Sequence, residues 1–288
     1  MHIEAFFDPA TSSNTFLVFD ADRTRCVIVD SVLDYDPQAA RIRTDNADRL
    51  VRRVADTGAR VEWIFETHVH ADHLSAAAYL KEKLGGRTAI GRQVVVVQDV
   101  FGKLFNAGPG FATDGSQFDH LLADGETITV GRLSITVMHT PGHTPACASY
   151  VFTDGDEQAV FVGDTLFMPD TGTARCDFPG GDARTLYRSL RRLLALPAAT
   201  RLYLCHDYPP AERPHSFVST VGEQCRSNIH VHDGVSEDEF ADLRRRRDAT
   251  LAVPVLLLPA VQVNMRCGRL PEPEENGTRY LKIPLNTI

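Results

Sequence analysis

From Thr67 to His73 the chain reads Thr-His-Val-His-Ala-Asp-His, which crowds three imidazoles and one carboxylate into seven residues. Neutral imidazole nitrogen together with carboxylate oxygen suits Zn, Fe, Ni or Cu rather than Mg or Ca. A lone His-x-His is a weak signal, because a polar surface loop can carry it by chance. The full His-x-His-x-Asp-His directly after an apolar run is a much stronger one. Residues 61–66, Val-Glu-Trp-Ile-Phe-Glu, read as a buried strand, and residues 74–80, Leu-Ser-Ala-Ala-Ala-Tyr-Leu, read as a helix start. The cluster therefore falls at a strand end ahead of a helix, where open α/β sheets place their sites.

Three further ligand candidates stand in the same kind of place. His139-Thr140-Pro141-Gly142-His143 follows an apolar strand over 133–138, Gly163-Asp164-Thr165 follows one over 160–162, and His206-Asp207 follows one over 202–204. Each alone is weak, since an aspartate after a strand is usually a turn or a helix cap. Around them the pattern predicts a hairpin over 14–20 and 26–30, and a helix over 47–57 capped by Asn46. A helix to about Leu84 stopped by Gly85-Gly86 comes next, then a strand over 88–90. Residues 101–124 lack a period and read as a long loop, a candidate cover for the site. Strands over 127–130 and 133–138 turn at Gly131, two more span 148–152 and 159–162, and a helix over 183–196 ends before Pro197. The region after Val253 reads as Pro-broken extended chain.

Composition narrows the function classes. The 288 residues are 43% hydrophobic and 24% charged, typical of a globular protein with a sizeable core, and one compact domain spanning 1–288 is the simplest reading. The net charge of -8 sets the global field against nucleic acid and anionic membranes. The one basic run, Arg244 to Arg247, follows acidic Glu237-Asp238-Glu239 in a predicted helix and reads as a solvated face. Its N-terminus shows neither a signal nor a transit pattern, so a cytoplasmic protein is expected. No run has the length of a membrane span. Six scattered cysteines without Cys-x-x-Cys pairs read as buried thiols rather than a zinc knuckle or disulfide framework. His2, His120, His215, His230 and His232 read as surface or loop positions, and His139 as a residue beside the ligand turn.

Taken in order, His-x-His-x-Asp-His, Pro-Gly-His, Gly-Asp and a strand-terminal His resemble the metallo-β-lactamase superfamily over about residues 14–207. The resemblance implies an α/β fold: a four-layer αββα sandwich of two mixed sheets flanked by helices, with 208–288 a C-terminal extension packed on it. In the superfamily pattern His68, His70 and His143 match one metal position, Asp72, His73 and His206 match a second, and Asp164 lies between them. Dinuclear zinc hydrolysis of a thioester, as in glyoxalase II, is one reading, with two Zn2+ about 3.5–4 Å apart.

The flanking residues favour another. Thr140 to Cys147, Gly163 to Phe167, and above all Thr173-Ala174-Arg175-Cys176-Asp177-Phe178-Pro179-Gly180-Gly181-Asp182 resemble the persulfide dioxygenase (sulfur dioxygenase) branch. The tail with Val263-Asn264-Met265-Arg266 and Lys282-Ile283-Pro284 looks like its bacterial form. This resemblance implies one Fe(II) per chain on His68, His143 and Asp164, with His70, Asp72, His73 and His206 present but holding no second metal. It also implies oxidation of glutathione persulfide by O2 to sulfite and glutathione. Two imidazoles and a carboxylate on one face of iron leave the other open, whereas Zn2+ has no accessible redox change. Glutathione brings carboxylates, for which Arg175 is the leading partner and Arg226, Arg266 and Lys282 are weaker ones. Cys176 reads as a packed thiol. The sequence leaves a homo-oligomer open.

Overall fold

The computed structural model describes residues 1–287; Ile288, the last residue of the 1–288 span, lies outside the described residues. Strands β1 (His2–Asp8), β2 (Ser13–Phe19) and β3 (Arg25–Val29) form an antiparallel meander. After β4 (Val32–Asp36), β5 (Arg41–Arg43) and helix α1 (Asp45–Thr57), the chain re-enters that sheet as β6 (Arg60–Glu66), parallel to β3. The histidine-rich loop follows, then the short β7 (Leu74–Ser75) beside β4, helix α2 (Ala77–Leu84), β8 (Arg87–Gly91), helix α3 (Val94–Leu104) and β9 (His120–Leu122). The first sheet has the order β1-β2-β3-β6-β8-β9. The second takes β10 (Thr127–Val130), β11 (Leu133–His139), β12 (Ala148–Asp154), β13 (Glu157–Phe161), β14 (Arg201–Tyr203) and β15 (Val218–Thr220) in chain order. Helix α4 (Ala183–Leu194) crosses between β13 and β14, and α5 (Val221–Ser227), α6 (Glu237–Asp248) and α7 (Leu257–Asn264) follow β15.

Side-chain alternation along these strands dictates the layering. Phe16, Val18, Val27, Val29 and Phe65 face inward to meet Tyr150, Phe152, Ala159 and Phe161 of the second sheet, while Leu17, Phe19, Cys26, Ile28 and Ile64 face the opposite way. Those outward residues pack under Leu50 and Val54 of α1, Leu80 of α2, and Leu257 and Val261 of α7. On the far side Val151, Val160 and Leu202 pack under Leu186, Leu190 and Leu193 of α4 and Phe240 of α6. Three cores separate four layers, the αββα sandwich. With both faces buried, these strands read as continuous apolar runs in the sequence.

Strand direction places the candidate ligands. β11 and β13 are each antiparallel to β12, and β14 is parallel to β13, so β11, β13 and β14 all end at one edge of the second sheet. β6 of the first sheet ends at the same edge, and direct bonds between the sheets fix it there. The Tyr150 hydroxyl donates to the Glu66 carbonyl at 2.7 Å, the Ala148 N–H to the Thr67 carbonyl at 2.9 Å, and the Asn14 N–H to the Cys205 carbonyl at 2.7 Å.

Several elements differ from the sequence reading. Residues 94–104 form a helix, and the loop after it buries Phe105 and Phe118 in the first outer core instead of covering the site. The expected cap Asn46 lies inside α1, where its amide bonds Asp34. Residues 257–264 are helical despite Pro259, which sits in the first turn, where its missing N–H costs nothing. Among the described residues no helix is long and apolar enough to cross a membrane.

Candidate metal centre

The ligand-type side chains converge where the two sheets meet. His68, His143 and Asp164 bring one donor atom each to within 4.8 Å of one another, and His70, Asp72, His73 and His206 form a second such group. Asp164 joins the two: its Oδ2 is 3.7 Å from His68 Nε2 and 3.9 Å from His143 Nε2, while its Oδ1 is 3.2 Å from His206 Nε2. It stands on a single 3-10 turn after β13. That turn approaches the histidine loop so closely that a Cβ on Gly163, at φ +52°, would lie 2.4 Å from Thr67 Oγ1.

Each imidazole is turned by its other nitrogen. His143 Nδ1–H donates to the Arg175 carbonyl at 2.7 Å and His206 Nδ1–H to the Ser12 carbonyl at 3.1 Å, which leaves Nε2 facing the centre in both. His68 Nδ1 lies 3.0 Å from Thr67 Oγ1. His70 is reversed: its Nε2 meets Asp30 Oδ1 at 3.0 Å, so Nδ1 faces inward. Asp30 also accepts from the Thr67 N–H at 2.7 Å and the Thr67 hydroxyl at 2.9 Å, which makes it the organiser of the loop.

Burial, with neighbouring His70, pushes His68 well below the ordinary imidazole range, and burial likewise lowers His143. Both are thus held in the neutral, ligating form. Burial works to raise Asp164, but His206 and His68 beside it outweigh that and hold it anionic. For His70 the adjacent Asp30 and Glu66 overcome burial and lift it to about 9. Burial pushes Glu66 up to about 8, opposed by His70.

The donor set fits a metal by a test internal to the protein. His68 Nε2, His70 Nδ1, His73 Nε2, His206 Nε2 and Asp164 Oδ1 are all buried without a hydrogen-bond partner. So many orphaned donors and acceptors in one spot would be costly unless an ion satisfied them.

The centre opens into a cleft of about 680 Å3 with Asp72, His143 and Asp164 on its floor and the aromatic rings of Phe167, Phe178 and Tyr208 around them. Arg175 stands on its wall, but Asp177 already grips the guanidinium at 2.6 and 2.7 Å. The weaker cation candidates lie elsewhere. Arg226 is exposed on α5, and Arg266 and Lys282 line a separate cleft beside Phe111 that includes none of the ligand-type residues. The basic run is not a uniformly solvated face: Arg244 is only 1% exposed and, with Arg247, lines the metal cleft. His230 is likewise buried, and burial together with Arg244 pushes it down to about 4. Cys176 is buried and its thiol is pushed up to about 12, in keeping with a packed role. His139 donates to the Leu122 carbonyl, away from the metal groups. Asp30 is a partner that the ligand pattern does not reveal; its only sequence signal is a carboxylate directly after the apolar run 26–29, and the structure gives it a left-handed φ of +52°, which aspartate tolerates.

The family profile of the metallo-beta-lactamase superfamily matches residues 8–206, which takes in every one of these ligand-type residues. The chain belongs to that superfamily. Among metallo-β-lactamase-fold relatives, a probable metallo-hydrolase of Burkholderia pseudomallei (strain 1710b) is 64% identical over the whole of both chains. A protein named glyoxylase B2 from Dictyostelium discoideum is 49% identical, covering 99% of this chain and 97% of its own. The human mitochondrial persulfide dioxygenase ETHE1 is 30% identical over 92% of this chain and 88% of its own. Among solved structures, ETHE1 from Myxococcus xanthus superposes with a TM-score of 0.73 at 31% identity, covering 93% of this chain and all of its own.

Proposed function

We propose that this metallo-β-lactamase-fold chain is a persulfide dioxygenase that holds one Fe(II) on His68, His143 and Asp164 and oxidises glutathione persulfide with O2 to sulfite and glutathione. The observation that carries the reading is the cleft. Two of the three triad residues lie on its floor, and the chain's own 244–256 stretch builds the wall beyond them, so a tripeptide-sized thiol derivative fits with its sulfur at the triad. A glyoxalase II type hydrolase is expected to add a separate helical domain for the glutathione part. Here α6 packs into the core under α4, and α7 into the core under the first sheet. Likeness to the human persulfide dioxygenase ETHE1 and to ETHE1 of Myxococcus xanthus, each over nine-tenths of the chain, supports the reading.

When bound, ferrous iron supplies the redox chemistry that couples O2 to sulfur oxidation. The protein supplies position and environment. The Arg175 carbonyl keeps His143 Nε2 aimed at the triad, and Asp164 remains anionic. Phe178, edge-on to His143 at 5.4 Å between ring centres, and Phe167 give the cleft an apolar lining beside the triad. With Arg175 neutralised by Asp177, the exposed Arg247 on the same wall is the cation left to meet a substrate carboxylate.

Oxygen uptake should require glutathione persulfide and yield sulfite at roughly one per O2 consumed, with glutathione alone inert. Anaerobic cleavage of S-D-lactoylglutathione without oxygen uptake would instead identify a hydrolase. That second reading, two Zn2+ acting on a thioester, is favoured by the orphaned nitrogens of His70, His73 and His206 and by the likeness to glyoxylase B2. His206→Ala separates the two. In the iron reading the variant keeps close to one iron per chain while its rate changes; loss of half or more of the bound metal, measured by elemental analysis, would favour the dinuclear centre.

A further inference from the structure

His143 reaches the centre on a turn, and its ring is oriented by the Arg175 carbonyl. That carbonyl shares a planar peptide unit with the Cys176 N–H, so whatever holds the N–H also aims the carbonyl. The holder is Asp248, whose Oδ2 accepts from the Cys176 N–H at 2.9 Å. Asp248 is paired in turn with Arg244 one helical turn earlier on α6, and Arg244 Nη1 donates to the Thr173 carbonyl at 3.1 Å. His230 accepts from the Thr173 N–H at 3.0 Å, and Arg175 Nη1 donates to the Ala252 carbonyl at 2.7 Å. Residues 173–177 have no regular secondary structure of their own, and these four contacts from the C-terminal region hold them.

Arg244 and Asp248 are 1% and 5% exposed. A buried ion pair seldom adds net stability over an apolar pair of like volume, and Phe240 and Ala241 already seat α6 in the core. The pair also lies beyond residue 206, where the superfamily match ends. We propose that Arg244 and Asp248 are positioning residues of the metal centre: they clamp the 175–176 peptide, and through its carbonyl set the orientation of His143. The inference rests on His143 as a ligand, which the iron and zinc readings share.

Two double variants test it without leaving a lone buried charge. Arg244→Leu with Asp248→Asn keeps an acceptor for the Cys176 N–H, and Arg244→Leu with Asp248→Leu removes it. Each is depleted of metal, reloaded with Co(II), and read by its visible ligand-field bands, by its Co(II) dissociation constant in chelator competition, and by its thermal midpoint. The Leu/Leu variant should show shifted bands and roughly ten- to hundredfold weaker binding, with the Leu/Asn variant restoring both. Wild-type bands and affinity in the folded Leu/Leu protein, or equal changes in the two variants, would overturn the clamp, whatever their thermal midpoints. None of these readings depends on which reaction the enzyme performs. Hydrogen exchange on the unaltered protein supplies a measure that needs no variant. Because coupling is reciprocal, metal loading should slow exchange in peptides covering 173–178, and unchanged exchange there would count against the proposal even if neither variant folds.

Discussion

Asp164→Ala should emerge from purification folded but without metal and without activity. Asp164 supplies the one carboxylate among the three triad donors, and its two oxygens face His68 and His143 on one side and His206 on the other. Removing it leaves two imidazoles, with no negative charge to offset a divalent cation and one fewer ligand to enclose it. The loss in metal affinity should exceed about a hundredfold, the upper end of what losing a mere outer partner of a ligand costs. Circular dichroism should match the unaltered protein, because the alanine also removes a buried charge that the fold otherwise has to compensate. Full metal occupancy by elemental analysis in the folded variant would remove Asp164 from the centre in either the iron or the zinc reading.

Gly142→Ala should be the most damaging single methyl group that can be added to this chain's ligand turns. At φ +139° the backbone of Gly142 is in a region that side chains rarely adopt, and a Cβ there would fall 2.3 Å from the backbone of Leu186 in the second turn of α4. Neither partner can yield cheaply. Leu186 is fully buried under the second sheet, and the Gly142 carbonyl accepts from the N–H of Asp182, the N-cap of α4. Relief requires α4 to lift or the turn to shift His143, so destabilisation of at least about 3 kcal/mol is expected together with weakened metal binding. Denaturant unfolding gives the first quantity and chelator competition the second. A variant of unchanged stability would show that the turn and helix separate more freely than their contact implies.

The contrast between these two residues and Arg244 explains how much could be read from sequence. Ligand chemistry is local: His68, His70, Asp72 and His73 lie within six residues, and His143, Asp164 and His206 each follow a segment with a strand pattern. Strands buried on both faces announce themselves, so most of the sandwich was legible too. In the sequence Arg244 reads as solvated, because its burial depends on Thr173, some seventy residues earlier, and on Asp248, which is itself tied to Cys176, and nothing in its own neighbourhood records those distant partners. Helix α7 was hidden by Pro259, which argues against a helix unless its first turn is known. The surroundings of the candidate cations are not legible for a related reason. Charge type survives in the sequence, but whether Asp177 occupies Arg175, or which cleft Lys282 faces, is a matter of tertiary geometry.

Asn264, at the end of α7, donates through its side-chain amide to the carbonyls of His70 and His73 at 2.8 and 2.7 Å and accepts from the Ser75 N–H at 2.7 Å. A single side chain from near the end of the chain thus closes the loop that begins the metal centre near its start. The evolutionary consequence is a limit on modularity. A recombination event that joined the superfamily core at residue 206 to a foreign tail would leave two loop carbonyls without donors and would discard the helix that bears Asp248. Core and tail should therefore be inherited as one unit, and a library of chimaeras crossed over near that junction should yield functional members only where the incoming tail brings its own equivalents of both contacts.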